Sequence, residues 1–99
     1  MAKSRATEAK TIKIGRDLRI ATAGATYGAL RKAAGSGDGR IALDARQVEK
    51  VDAAGLQALL AGRAALARAG KAVSWAECSP QLTAAATLLG LAAALELPK

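Results

Sequence analysis

The stretch Asp52-Ala53-Ala54-Gly55, continuing into Leu56-Gln57-Ala58-Leu59-Leu60, joins a short buried strand to an apolar helix through a capping aspartate. It predicts a strand-to-helix unit in which Asp52 accepts hydrogen bonds from first-turn N–H groups that otherwise lack partners. A helix start of this kind carries partial positive charge and is a natural docking point for an anion or a partner. Ala53 and Ala54 have no hydroxyl, so the turn offers neither a nucleophile nor a phosphoryl acceptor. Binding, rather than chemistry, is expected there. The plainer reading, a well-capped helix and nothing more, also fits, because Asp-x-x-Gly alone is a common pattern.

Ninety-nine residues make one domain, long enough to bury roughly 60–65% of its unfolded surface and to fold without staples. Much of the hydrophobic fraction is alanine. With one Trp, one Tyr and no Phe, the core must come from Leu, Ile, Val and small residues at close approach. No His and one Cys exclude a zinc site, a disulfide framework and the Cys-His or Ser-His-Asp devices of nucleophilic catalysis. No metal, cofactor or enzymatic activity is therefore expected. Low cysteine usage points to a cytoplasmic chain.

Residues 1–10 are basic and lack an apolar segment, so they are neither signal peptide nor anchor. They are expected to form a disordered basic tail ahead of a single domain over 11–99. The uncharged run from Cys78 to Leu95 contains Ser79, Pro80, Gln81 and many alanines, so it reads as a core helix, not a membrane span. Any membrane association is expected to be indirect, through a partner. Fifteen basic residues against eight acidic give a net charge of +7, which attracts nucleic acid or anionic surfaces. Base readout, however, wants aromatics or a helix dense in Arg, Asn and Gln. No segment here has either, so the charge reads as a solvated basic surface, and a basic nucleotide or nucleic-acid binder is kept only as a lesser alternative that rests on net charge alone.

Thr11-Ile12-Lys13-Ile14 alternates polar with apolar, Gly15-Arg16-Asp17 breaks the pattern, and Leu18-Arg19-Ile20 resumes it. This predicts two half-buried strands around a tight turn, an N-terminal hairpin. Thr22 to Ala34 favours helix, with Arg31 and Lys32 suited to its C-terminal end. The loop Gly35-Ser36-Gly37-Asp38-Gly39 follows a helix and opens the strand Arg40 to Asp44, the reverse of a phosphate-binding glycine loop. Nucleotide binding there is not expected. A helix from Ala53 to about Ala69 ends at Gly70, with Leu59, Gly62 and Leu66 on one face, Gly62 allowing close approach to a sheet. Leu56 and Leu60 fall to the flank and are expected to be partly exposed, forming a small apolar patch. Lys71 to Ala76 reads as a strand with Val73 and Trp75 pointing the same way. Ser79 as N-cap and Pro80 at the first helical position start a helix that Gly90-Leu91 ends. Cys78 reads as a small core or edge residue and Trp75 as packing against a helix. The fold class is α/β: a small mixed sheet with an N-terminal hairpin, later strands parallel, and right-handed crossovers through the helices.

The element order, the strand Ile41 to Asp44 and the run Val51 to Leu60 resemble the STAS domain, named for sulfate transporters and anti-sigma factor antagonists. Gly15, Leu18, Ile20 and Ala23 fall where that family has its early Gly-x-x-Leu-x-Ile-x-x-Ala pattern. The resemblance continues through Gly70, Val73, Trp75, Ser79-Pro80 and Leu88-Leu89-Gly90-Leu91, covering about residues 11–97. It implies a non-enzymatic regulator that binds a protein partner through the start of the helix at Asp52. In phosphorylatable members the turn reads Asp-Ser-Ser-Gly or similar, and an anti-sigma factor kinase modifies the second hydroxyl. That position is Ala54 here, a non-functional equivalent of the phosphoacceptor. Several hydroxyl-poor relatives serve phospholipid-transport ABC systems or accompany chemotaxis clusters. The expected partner is thus an anti-sigma factor or kinase-like protein, or alternatively an ABC permease or ATPase subunit. The expected contact residues are Asp52, Ala53, Ala54, Gly55, Leu56 and Leu60.

Overall fold

The computed structural model describes residues 9–98. The chain runs β1 (Lys10–Lys13), β2 (Asp17–Leu18), α1 (Ile20–Ala34), β3 (Arg40–Ala45), β4 (Lys50–Val51), α2 (Ala53–Arg68), β5 (Ala72–Cys78), α3 (Pro80–Leu88) and α4 (Ala92–Leu95). Residues 1–8 of the expected tail lie outside the described residues, while Lys10 already belongs to β1.

The α/β class and the parallel later strands are as expected; the hairpin is not. β1, β3 and β5 form a three-stranded sheet in that order, both pairs parallel, and β2 pairs in parallel with β4. Alternation predicts which face of a strand is buried but says nothing of its partner. After Ile14 donates its N–H to the Asp44 carbonyl at 2.8 Å, the chain leaves the first sheet. The Arg16 carbonyl then accepts N–H bonds from Glu49 at 2.8 Å and Lys50 at 3.1 Å. The segment read as a second hairpin arm is thereby drawn to β4.

Register sorts the sheet into faces. Ile12, Leu43 and Trp75 stand in one cross-strand row, with Ile41 and Val73 in the row beside it. Ile41 and Leu43 are fully buried against the helical layer, and Trp75 donates its ring N–H to the Leu95 carbonyl at the end of α4, 2.9 Å away. The packing against a helix expected of Trp75 is therefore present. The opposite row, Thr11, Ala42 and Ser74, is the more open side. An extra residue in β5 opposite the Leu43/Asp44 step shifts the register, the pattern of a β-bulge.

Leu18, Leu30, Val48, Leu56, Leu59, Leu66, Leu82 and Leu95 complete the core. Gly62 serves a close approach, but between helices: a Cβ there would run into the Leu30 side chain of α1, so the helix–sheet contact expected for it is corrected to a helix–helix one. The helix ends follow sequence closely. Gly70 and Gly90 take positive φ, with paired bonds from Gly70 to Ala67 and Lys71 to Leu66, and from Gly90 to Thr87 and Leu91 to Ala86, the Schellman arrangement. Ser79 accepts the Leu82 N–H at 3.1 Å, with Pro80 at the first helical position.

Candidate docking site at two helix starts

Asp52 stands at the N-cap of α2 in extended conformation, and its Oδ1 accepts the Gly55 N–H at 2.8 Å. The other carboxylate oxygen does something local sequence does not announce. Oδ2 accepts the N–H of Ile20, the first residue of α1, at 3.0 Å. One carboxylate therefore satisfies first-turn donors of two helices, of 15 and 16 residues, and both dipoles present positive ends around it. This explains why α1 begins at Ile20 and not at Thr22, as its residue preferences predict. Arg19 at the N-cap has no side-chain acceptor, and Asp52 supplies one from 32 residues away.

Glycine at position 55 is what lets the two starts meet. A Cβ there would overlap the Leu18 carbonyl and crowd the Arg19 nitrogen, so any larger residue would wedge the helices apart. The approach is locked from the other side by the Asp52 N–H donating to the Leu18 carbonyl at 3.1 Å. Thr22, one turn into α1, has its hydroxyl committed: it donates to the Asp17 carbonyl at 2.6 Å and accepts the Arg19 N–H at 3.3 Å.

The expected contact residues divide in space. Ala53 is exposed, Asp52 and Ala54 are half-exposed, and all three lie on the open end of the junction. Leu60 is half-buried as expected. Leu56 is fully enclosed, which corrects the expectation that it lines an exposed patch. Because Gly55 brings the first turn of α2 onto the Leu18–Arg19 backbone, the Leu56 side chain enters the core beside Leu59. Gly55 is likewise buried and shapes the site without offering a side chain.

The apolar anchor that sequence reasoning missed is Ile20. It is 74% exposed although its own N–H is tied to Asp52. Read as a strand residue, its alternation suggested a half-buried position. The available signal was its place two residues before a helix-favouring run, with only Ala23 and Gly24 one turn on. Around it the surface is charged: Arg19 forms an ion pair with Asp17 at 2.7 Å, and Arg16 and Lys50 are exposed. The hydrogen bond and charge of Arg19 hold the Asp17 carboxyl below the usual carboxylate range.

Behind the site, Asp44 is buried at the end of β3. It accepts the Arg46 backbone N–H at 3.1 Å and the Arg46 Nε at 3.2 Å. The backbone bond foremost, with the guanidinium and Lys13, lowers its pKa against the opposing cost of burial. Arg46 also reaches Glu77 at 3.3 Å. Cys78 is half-buried, and burial, with Asp44 nearby, pushes its thiol pKa up. A thiol so disfavoured as thiolate is a poor nucleophile, in keeping with the structural role expected of it.

Among the described residues no helix is long and apolar enough to cross a membrane. A family model described as "Mlab, STAS domain" matches residues 1–97. The fold is shared with a sulfate transporter family protein from Wolinella succinogenes. That crystal structure superposes with a TM-score of 0.72 at 22% identity, over 88% of this chain and 70% of that one. No curated protein matches the sequence. With nearly its whole length matched by the family model, the chain belongs to the STAS domain family.

Proposed function

We propose that the chain is a non-enzymatic docking module that binds a partner protein where α1 and α2 begin, through Ile20, Asp52, Ala53, Ala54 and the flank at Leu60. The observation that carries this reading is the shared cap: Asp52 commits one carboxylate oxygen to Gly55 and the other to Ile20, while Ile20 itself stays exposed. An exposed branched aliphatic side chain on a rigid, doubly capped platform suits a preorganised protein contact. Ala53 and Ala54 keep the turn shallow and deny it a phosphoacceptor, so docking is not gated by phosphorylation there. The partner is an anti-sigma factor or kinase-like protein, as for anti-sigma factor antagonists, and the protein acts in the cytoplasm.

A second reading, an accessory subunit docking onto an ABC permease or ATPase, draws support from two comparisons. The matching family model carries the Mlab description and the structural neighbour is a transporter family protein. Both readings use the same face. Isothermal titration of the purified chain against the anti-sigma-type protein or ABC ATPase encoded beside it separates them. Micromolar or tighter binding to one, weakened at least tenfold by Ile20→Asp, identifies the partner class. Equal binding by wild type and a folded Ile20→Asp variant would exclude this face as the docking surface.

A further inference from the structure

We infer that the free edge of β1, with the groove between it and α1, is a second recognition site, built to take an extended peptide of alternating apolar and acidic residues as an added strand. Among the described residues β1 is an end strand of its sheet, paired on one side only, with β3. Because Ile14 donates its N–H to Asp44 and strand residues alternate their backbone polarity from side to side, Thr11 and Lys13 turn their N–H and C=O groups to the unpaired edge. These groups are the template for strand addition.

Beside that edge run two adjoining cavities of about 520 and 490 Å³ that share Ile12 and Ala29. Their floor is apolar: Ile12 from β1, with Ala25, Ala29 and Ala33 of α1, small residues that leave room for a neighbour's side chains. Their rim is cationic, with Lys10, Lys13, Arg16 and Lys32, against Asp17 as the one acid, already paired with Arg19. An incoming strand of period two would lay alternate side chains on the alanine floor, flanked by Lys10 on the same face of β1 and Lys32 of α1, and turn the others to the opposite face beside Lys13. The same charges select the occupant. A second copy of β1 would set Lys10 and Lys13 against their own kind, and like charges directly opposite are destabilising, whereas an acidic strand is complementary. One end of the groove, at Arg16, Asp17 and Thr22, adjoins the Ile20–Asp52 junction, but the strand edge at Thr11 and Lys13 is a different surface and does not depend on the function proposed for that junction.

The test uses the full chain, ¹⁵N-labelled, titrated with a capped hexapeptide of alternating Glu and Val, and with its Lys-Val counterpart as control. Binding of the Glu-Val peptide is expected to shift the Thr11 and Lys13 amides, slow their hydrogen exchange, and shift Ala25 and Ala29. Lys13→Glu should weaken binding at least tenfold, and Ala29→Leu, at an exposed helix position, should block the groove without unfolding the chain. The site is overturned by equal binding of the Lys-Val peptide, by shifts spread evenly over the basic surface, or by no saturation at millimolar peptide. It is also overturned if deleting residues 1–8 by itself reproduces the shift changes, which would make the chain's own N-terminal segment the occupant.

Discussion

The Asp52 Oδ2 atom lies 3.0 Å from the Ile20 amide nitrogen, so that a side chain of α2 fixes where α1 begins. Removing it costs more than an ordinary cap. A lost N-cap typically costs about 0.5–2 kcal/mol, and here two first-turn donors lose their acceptor together. Asp52→Ala is expected to lower stability by about 2 kcal/mol in urea unfolding. Asp52→Asn, which keeps a single acceptor oxygen, should fall between that variant and wild type. A loss no larger than that of an average surface substitution would show that the shared cap carries no weight.

The glycines separate by what surrounds them. Gly55→Ala and Gly62→Ala place a methyl against the Leu18 backbone and the Leu30 side chain, and overpacking of this kind costs about 1–3 kcal/mol. The backbone clash at Gly55 should be the worse, because a carbonyl cannot rotate aside as Leu30 can. Gly24 and Gly28 sit inside α1 with open space where a Cβ would go. Gly24→Ala and Gly28→Ala should each stabilise the chain by about 0.5–1 kcal/mol. Thermal melting of the four variants checks both signs.

Leu56 and Ile20 are expected to trade the roles that sequence suggests for them. Leu56→Asp buries an unpaired charge and should leave little folded protein. Ile20→Asp, at an exposed position, should change stability by less than about 0.5 kcal/mol. Leu60→Asp should lie between. Leu59→Ala, which opens a core cavity, should cost about 2–5 kcal/mol. Circular dichroism with urea titration of these variants decides it: a folded Leu56→Asp would contradict the packing described for α2.

Acid should expose the Asp44–Arg46 contact. The Asp44 pKa is lowered in the folded chain, so its contribution is fully present at neutral pH and is lost as pH falls below about 4 through the lowered folded value. Wild type should therefore exceed Asp44→Asn in stability at neutral pH, and the gap should close as the solution is made strongly acidic. A gap that widened in acid would contradict the direction of the shift.

Local chemistry made much of this molecule legible. Ser79-Pro80, Gly70 and Gly90 announce helix ends because capping depends on neighbours in sequence, and the α/β order follows from periodicity. The hairpin failed because β2 is held by Glu49 and Lys50 bonding to Arg16, a pairing that alternation cannot express. The site was half legible. Asp52 declared its own helix, but its second oxygen serves Ile20 across 32 residues, and that long-range bond turned a nominal strand residue into the exposed anchor. Helix phase put Leu56 on a flank, whereas the close approach at Gly55 tilts it into the core.

A partner seated on the junction of α1 and α2 is tested most directly by a site-specific photo-crosslink. Benzoylphenylalanine is introduced at Ile20 in one variant of the intact protein and at Ser74, on the open face of the sheet, in another; both are irradiated with the purified anti-sigma-type or ABC partner. A crosslink is predicted from position 20 and none from position 74, with no phosphate on the turn from Val51 to Leu56 after incubation with ATP. Equal crosslinking from both positions, or capture from position 74 alone, would contradict docking at the two helix starts.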